Sequence, residues 1–241
     1  KLDRYQVNDK KYHLFGDPTL RLNIPQYSGR IDSINGIEPT ANIQIKALSR
    51  STIEGVVLRP DSTIWTDFNG EGILTVFDSE RQVRLASISY NINVPGGVIF
   101  RGRTSIQNGK FKSEFIVPKD ISYENRNGKV LVYFYNDELD GIFYTDKVII
   151  GGTDSTTVND GNGPEISIHF DDASFDNTNL ITPTSTLIVK LADQTGLNTT
   201  GTGIGHKLEG ILNEDEINPL DFSNYFTGDI DAGGRTGEIN Y

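Results

Sequence analysis

The sequence VIFRGRTSIQNGKFKSEFIV, residues 98–117, predicts local structure more clearly than any other stretch of the chain. Asn108-Gly109 lies between two alternating runs, and Asn-Gly favours a two-residue hairpin turn because both turn positions need positive φ. Such a short loop fixes the register of the strands that it joins. The predicted cross-strand neighbours are Ile106 with Phe111, Thr104 with Ser113, Gly102 with Phe115, Phe100 with Val117, and Arg103 with Glu114. An isolated hairpin cannot bury its apolar face, so other strands must cover it.

Short runs of strand-forming residues separated by turns continue along the first 150 residues. Besides the hairpin, the predicted strands are Ala41–Leu48, Ile53–Leu58, Gly72–Asp78, Val83–Tyr90, Lys129–Tyr135 and the run that follows the Asp140-Gly141 turn as far as Ile150. Lys129–Tyr135 (KVLVYFY) is almost wholly apolar or aromatic, which predicts a strand buried on both faces. Seven or eight strands over roughly 120 residues, without a sustained helical period, predict an immunoglobulin-like β-sandwich over residues 26–150.

The composition of the sequence changes after residue 150. Residues 151–163 are small and polar, which predicts a linker. Residues 164–241 contain predicted strands at Glu165–Phe170, Ser185–Asp193, Gly205–Leu212 and 237–241. We expect a second β-domain there, incomplete within this sequence. Residues 1–25 contain the turn Gly16-Asp17-Pro18 and one short strand that ends at Pro25, as expected for the tail of a larger unit. The predicted fold class is therefore all-β.

Charge and composition exclude several classes of function. The formal net charge is −11 at pH 7, and residues 151–241 contain 3 Lys or Arg against 15 Asp or Glu. This acidic half repels phosphate backbones, so nucleic acid is not expected as a partner. The sequence has no Cys, which excludes disulfides, thiolate metal ligands and a cysteine nucleophile within these residues. No apolar run is long enough to span a membrane.

The three histidines, His13, His169 and His206, do not fall into a hydrolase pattern. There is no G-x-S-x-G elbow, and His169 lies in an alternating strand where a structural role is expected. Gly201–His206 (GTGIGH) resembles a phosphate-binding loop, but the run after it predicts a strand instead of the helix that a dinucleotide site requires. We therefore assign no catalytic residue and no cofactor-binding residue.

Five carboxylates surround the predicted linker and the strand after it: Asp154, Asp160, Asp171, Asp172 and Asp176. Calcium takes six to eight oxygen ligands, which loop carboxylates and backbone carbonyls can supply. The spacing does not follow the EF-hand pattern, and loop acids alone do not provide a ligand count. A solvated acidic face is favoured over a calcium site, and no metal ligand is assigned.

Trp65 and Phe68 lie close together in the turn-rich segment STIWTDFNG. An exposed pair of aromatic side chains can stack on a sugar or anchor a protein partner. Packing over the edge of a sandwich is the favoured use of these two side chains.

Four segments, taken together and in order, resemble one family. They are Lys11–Leu22 (KYHLFGDPTLRL), Phe100–Ile121 (FRGRTSIQNGKFKSEFIVPKDI), Gly163–Ile166 (GPEI) with the glycine-rich linker before it, and Leu191–His206 (LADQTGLNTTGTGIGH). Their order and spacing resemble the C-terminal part of the PorU family, the gingipain-like cysteine peptidases that act as sortases of the bacterial type IX secretion system. The resemblance extends over essentially the whole chain.

The resemblance implies that residues 1–25 end a caspase-like peptidase domain and that the remaining residues are accessory. In this family the catalytic His and Cys precede the GDP turn, and neither His13 nor His206 matches them, so the chain itself carries no catalytic residue. The family removes the C-terminal signal domain from exported cargo and attaches the cargo to the cell surface. The implied location is the bacterial cell surface or outer membrane, and the implied partners are secreted cargo or other attachment-complex proteins.

The predicted function is that of a non-catalytic accessory β-region of such a sortase, which positions cargo, binds a partner or stiffens the enzyme. The alternative is an adhesin or carbohydrate-binding β-sandwich module of a bacterial surface protein, because the composition suits it equally well. An independent hydrolase ranks third, since the sequence lacks a nucleophile motif.

Overall fold

We describe the fold from a computed structural model of the chain. The structure describes residues 17, 19, 24–85, 89–154, 162–171, 181–197, 208–231 and 233–241. Every regular element in these ranges is a β-strand, so the predicted all-β fold class is confirmed. None of the described segments is a helix that could cross a bilayer.

Eighteen strands are present in the described ranges. They are β1 (Ser28–Ile34), β2 (Ile43–Ala47), β3 (Arg50–Leu58), β4 (Gly70–Phe77), β5 (Arg81–Leu85), β6 (Tyr90–Val94), β7 (Val98–Ile106), β8 (Lys110–Ile116), β9 (Arg126–Asn127), β10 (Lys129–Tyr135), β11 (Asp140–Thr145), β12 (Val148–Thr153), β13 (Glu165–Phe170), β14 (Leu187–Ala192), β15 (Glu209–Gly210), β16 (Leu220–Asp221), β17 (Phe226–Asp229) and β18 (Thr236–Asn240).

Two sheets packed face to face form a sandwich. One is an eight-stranded sheet in the order β11-β10-β4-β7-β17-β18-β14-β13, and the other is a three-stranded sheet in the order β1-β3-β8. A second three-stranded sheet, β2-β12-β9, contributes Ile45 and Ile150 to the same core. The sandwich forms because the strands alternate apolar and polar residues, so each sheet has one face to bury.

The Asn108-Gly109 turn forms as predicted, but the two strands that it joins belong to different sheets. Asn108 has φ of 52° and Gly109 has φ of 70°, and the N–H and C=O groups of Gln107 and Lys110 exchange bonds of 2.9 and 3.0 Å. Beyond that single pair, β7 is bonded to β4 and β17, whereas β8 is bonded to β3. The predicted in-plane hairpin is therefore wrong, and the turn connects the two layers of the sandwich.

The predicted inward face of residues 98–117 is correct even though the predicted pairing is not. Phe100, Thr104, Ile106, Phe111, Ser113, Phe115 and Val117 are all buried. They meet across the core, where the rings of Phe100 and Phe115 stack with centroids 4.3 Å apart. Arg103 and Glu114 do not pair. Glu114 forms an ion pair with Arg50, whereas Arg103 lies near Glu71 in the eight-stranded sheet.

Three other strand predictions differ from the structure. The run Val83–Tyr90 is split between β5 and β6, which pair with each other, and residues 86–88 lie outside the described ranges. Gly205–Leu212 contains only the two-residue strand β15 in its described part. Strand β10 is buried on one face alone, because its neighbours β4 and β11 are antiparallel and its Tyr133 and Tyr135 point away from the core.

The eight-stranded sheet continues from the first 150 residues into the C-terminal part of the chain. Strands β11, β10, β4 and β7 come from the first part, and β17, β18, β14 and β13 come from the second. Each part has its own cluster of buried side chains, the second built from Val189, Leu191, Leu197, Phe222, Phe226 and Ile239. The division into domains at 26–150, 151–163 and 164–241 stays a prediction.

Candidate functional site at the sheet junction

The two halves of the large sheet meet through a very short parallel contact between β7 and β17. Gly228 pairs with Gly102, and Asp229 pairs with Arg103. The chain then turns so that Ile230, only 2% exposed, enters the core of the first half. Gly102 makes this possible, because a Cβ at that position would lie 2.4 Å from Cγ1 of Ile230. At the junction, therefore, a side chain of one half packs into the core of the other half.

Asp231, the residue after Ile230, stabilises the same contact through hydrogen bonds. Asp231 accepts hydrogen bonds from the Thr104 hydroxyl at 3.2 Å, the Ser105 amide at 3.1 Å and the Ser105 hydroxyl at 2.5 Å. The Ile230 amide also donates to the Arg103 carbonyl at 2.9 Å. Hydrogen bonds to an ionised carboxylate are stronger than neutral ones, so Asp231 stabilises the short parallel contact. We call Asp229, Ile230 and Asp231 the clasp.

A groove of about 510 Å³ lies on the outer face of the sheet over this junction. Its charged lining consists of the carboxylates Glu71, Glu165, Asp229, Asp231 and Glu238 and the cations Arg103 and Lys190. The residues come from both halves of the sheet, because the groove crosses the strands. It therefore forms only when the two halves are joined.

Arg103 lines the groove and lies between two carboxylates. Its Nε lies 3.7 Å from Glu71 Oε2, and its Nη2 lies 4.0 Å from Glu238 Oε1. Glu71 also accepts a hydrogen bond of 2.6 Å from the hydroxyl of Tyr135, and this bond raises the pKa of Tyr135. The ion pairs are partly exposed, so they orient the side chains more than they stabilise the fold.

The chemistry of the groove suits contact with a polar or charged segment of chain. The Ser105 hydroxyl donates to Asp231 directly, and no histidine or cysteine is among the described residues that line the groove. The bond to Asp231 holds the Ser105 hydroxyl in place. We treat the groove as a surface for contact, because charged and polar side chains from both halves of the sheet line it.

The candidate residues from the sequence are not brought together at this groove. His169 lies in β13 opposite Ile188, and its Nδ1 is buried without a hydrogen-bond partner among the described residues. His13, His206 and the loop 201–206 lie outside the described ranges. The absence of assigned catalytic and cofactor-binding residues stays a prediction.

Of the five predicted carboxylates, the structure describes only Asp154 and Asp171. Asp171 accepts a hydrogen bond of 2.9 Å from the Thr186 amide, and its own amide donates to the Thr186 carbonyl at 2.9 Å. It therefore holds the end of β13 against the start of β14. Within the described ranges no three His, Asp or Glu side chains are grouped closely enough to hold a metal ion. The solvated acidic face stays a prediction.

The aromatic pair packs on the edge of the sandwich. Phe68 is 2% exposed, and its ring makes an edge contact with Phe134 at 5.3 Å. Trp65 is half-buried and makes an edge contact with Tyr27 at 5.0 Å. Because the Trp65 ring is fixed between Tyr27 and Phe68, the pair does not form the open platform that sugar stacking requires. The carbohydrate-binding alternative is not favoured.

Sequence reasoning missed the clasp. The segment TGDIDAGG, residues 227–234, has neither strand-like nor helical periodicity, and a single isoleucine between acidic residues predicts no core position. The one available indication of a sharp turn was the glycine content of this segment. Gly233 and Gly234 both have positive φ, of 71° and 68°, which lets the chain turn sharply between β17 and β18.

Comparison with known proteins shows a likeness to a solved structure. No protein-family model matches the chain, and no curated protein sequence does. The chain is similar to dimeric latent PorU from Porphyromonas gingivalis, with a TM-score of 0.58 and 27% sequence identity. The match covers 94% of this chain but 22% of that crystallised chain. The fold is therefore PorU-like over nearly its whole length, by a distant relationship.

Proposed function

We propose that this chain is a non-catalytic accessory β-region of a type IX secretion sortase related to PorU. The observation that carries the proposal is the structural likeness to PorU, which covers 94% of this chain. The chain spans only 22% of that relative's length, so the peptidase chemistry is proposed for other parts of a longer protein. By this proposal the longer protein removes C-terminal signal domains from cargo and attaches the cargo at the outer surface of the bacterium.

The geometry supports a role as a stiff extension that carries a contact surface. The eight-stranded sheet runs through both parts of the chain, and the clasp fixes one half against the other through Ile230 and Asp231. A continuous sheet resists bending more than two domains joined only by a linker. The groove across the junction then presents charged side chains at a fixed position for secreted cargo or another protein of the attachment complex.

The first test is the coding sequence upstream of Lys1 in the source genome. The proposal expects a caspase-like segment with a histidine and a cysteine nucleophile before the GDP turn. A secretory signal peptide placed directly before Lys1 contradicts it, since the chain then stands without a catalytic domain.

The second test compares the longer protein with the 241-residue chain on a cargo protein that carries its C-terminal signal domain. The longer protein should release the signal domain, and replacing its upstream cysteine by alanine should abolish release. The 241-residue chain should release none above the buffer control. Cleavage by the chain alone overturns the accessory role, and no cleavage by the longer protein overturns the sortase assignment.

A further inference from the structure

Strand β13 lies at one end of the eight-stranded sheet, and most of its residues are exposed. In the described part of the chain it pairs with β14 alone, through all six of its residues and without a bulge. Glu165, Ile166, Ser167 and Ile168 are exposed. An edge strand commonly presents backbone N–H and C=O groups that are not bonded within its own sheet, and such groups are a template for another strand.

The opposite end of the sheet, at β11, differs from β13 because it makes a further backbone contact. Strand β11 pairs with β10 on one side, and on the other side Tyr27 forms an isolated bridge with Gly141. The Ile142 amide donates to the Tyr27 carbonyl at 3.0 Å. β13 has no such cover among the described residues, and its sequence lacks the lysines and the internal proline that commonly block an edge.

The core face of the sheet is also incomplete at β13. Ile166 and Ile168 lie opposite Leu191 and Val189, which belong to the second core and are 5% and 8% exposed. Cross-strand neighbours share one face, so the two isoleucines point towards the core side. Each is nevertheless 59% exposed. The apolar stripe formed by Val189, Leu191, Ile166 and Ile168 thus continues past the last described side chains that cover it.

The sequence of β13 is complementary to itself in an antiparallel pair. If Ser167 is placed opposite Ser167 of a second copy, Ile166 faces Ile168, and Glu165 faces His169. Apolar side chains then meet on the core face, and a carboxylate meets an imidazole on the other face. We propose that β13 pairs with β13 of a second copy of this chain in this register. The likeness to a dimeric PorU does not indicate which surface pairs, so the assignment rests on β13.

The pairing should be weak and dependent on concentration. Five paired residues bury much less than the roughly 1,600 Å² of a standard protein interface. The formal net charge of −11 on each copy also opposes association. Sedimentation velocity over a wide range of protein concentration should show a monomer–dimer equilibrium for the 241-residue chain.

Single cysteines test the register, because the chain has none of its own. Ser167→Cys lies opposite itself in the proposed pair, within the 4.4–6.8 Å Cα separation that a disulfide allows. It should form a covalent dimer on mild oxidation. Glu165→Cys and His169→Cys are each offset from their own copies by about 13 Å and should not cross-link alone. A mixture of the two should cross-link.

A charge on the apolar stripe provides the second test. Ile168→Lys should remove the dimer seen by sedimentation, whereas Ile142→Lys on the opposite edge strand should leave it unchanged. Far-UV circular dichroism and melting curves establish that each variant is folded. A chain that is monomeric at every concentration overturns the proposal, as does cross-linking of Glu165→Cys at the rate of Ser167→Cys. A dimer that persists in Ile168→Lys assigns the contact to another surface and also overturns it.

Discussion

Gly109 is subject to two separate constraints at the turn between β7 and β8. Its φ is +70°, in the region that residues with a side chain avoid, and a Cβ there would lie 2.3 Å from the carbonyl oxygen of Trp65. The Gly109 amide donates to Phe68, and its carbonyl accepts from Val57, so the backbone cannot shift freely. We expect Gly109→Ala to lower the free energy of unfolding by more than about 2 kcal/mol. Urea denaturation measures this change.

Gly36 provides the matched control, since it has a φ of +74° and no atom within 4 Å of an added Cβ. Gly36→Ala therefore meets only the conformational cost of the left-handed region, about 1–2 kcal/mol. The difference between the two variants isolates the contact with Trp65. Equal losses in the two variants contradict the steric explanation.

At the scale of elements, Asp78 connects the end of β4 to the loop after β8. Its Oδ1 accepts from the Ser79 amide at 2.7 Å and its Oδ2 from the Ser122 amide at 2.8 Å. Burial nevertheless raises the pKa of Asp78 above its ordinary value of 3.8. The folded state then binds the proton more tightly than the unfolded state does. The stabilisation from this group is complete below the unfolded pKa and is lost as pH rises through the folded pKa.

We therefore expect the free energy of unfolding of the wild type, minus that of Asp78→Asn, to fall as pH rises above 3.8. Asp61→Asn is the control of opposite sign, because a hydrogen bond from the Thr63 side chain lowers the pKa of Asp61. For that variant the same difference should fall as pH decreases through the folded pKa. Urea titrations at a series of pH values measure both differences. A difference for Asp78→Asn that increases with pH contradicts the argument.

The segment 98–117 illustrates how much of an element the sequence determines. The alternation of residues identified its inward face correctly, and Asn108-Gly109 identified the turn, because both depend on neighbours along the chain. The partner strands depend on β3 and β4, whose registers with β8 and β7 are set by contacts from far along the sequence. A two-residue turn is compatible with strands that remain paired or diverge into two layers, so local chemistry alone could not distinguish them.

At the scale of the whole molecule, the sequence predicted two parts but not their connection. The polar linker and the change in charge near residue 150 both follow from local composition. The return of Ile230 into the first core depends on the space left by Gly102, more than a hundred residues earlier in the chain. The groove over the junction could not be predicted for the same reason, since its lining residues come from strands on both sides of that contact.

The clasp should make the two cores unfold together. Ile230→Ala removes a side chain that is 2% exposed, so it should cost about 2–4 kcal/mol, whereas Ile217→Ala, at 88% exposed, should change stability by less than about 0.5 kcal/mol. Adding Asp231→Ala to Ile230→Ala should separate the transitions of the two halves, because the carboxylate bonds to Thr104 and Ser105 are lost as well.

Two probes distinguish the halves during unfolding. The single Trp65 reports the first core by fluorescence, and far-UV circular dichroism reports strands throughout the chain. In the wild type the two urea transitions should coincide, and in the double variant they should diverge, because Ile230 is a side chain of the second half packed in the first core and Asp231 supplies the carboxylate bonds to that half. Coincident transitions in the double variant would mean that the remaining contacts couple the halves, and the clasp would then have no role in cooperativity.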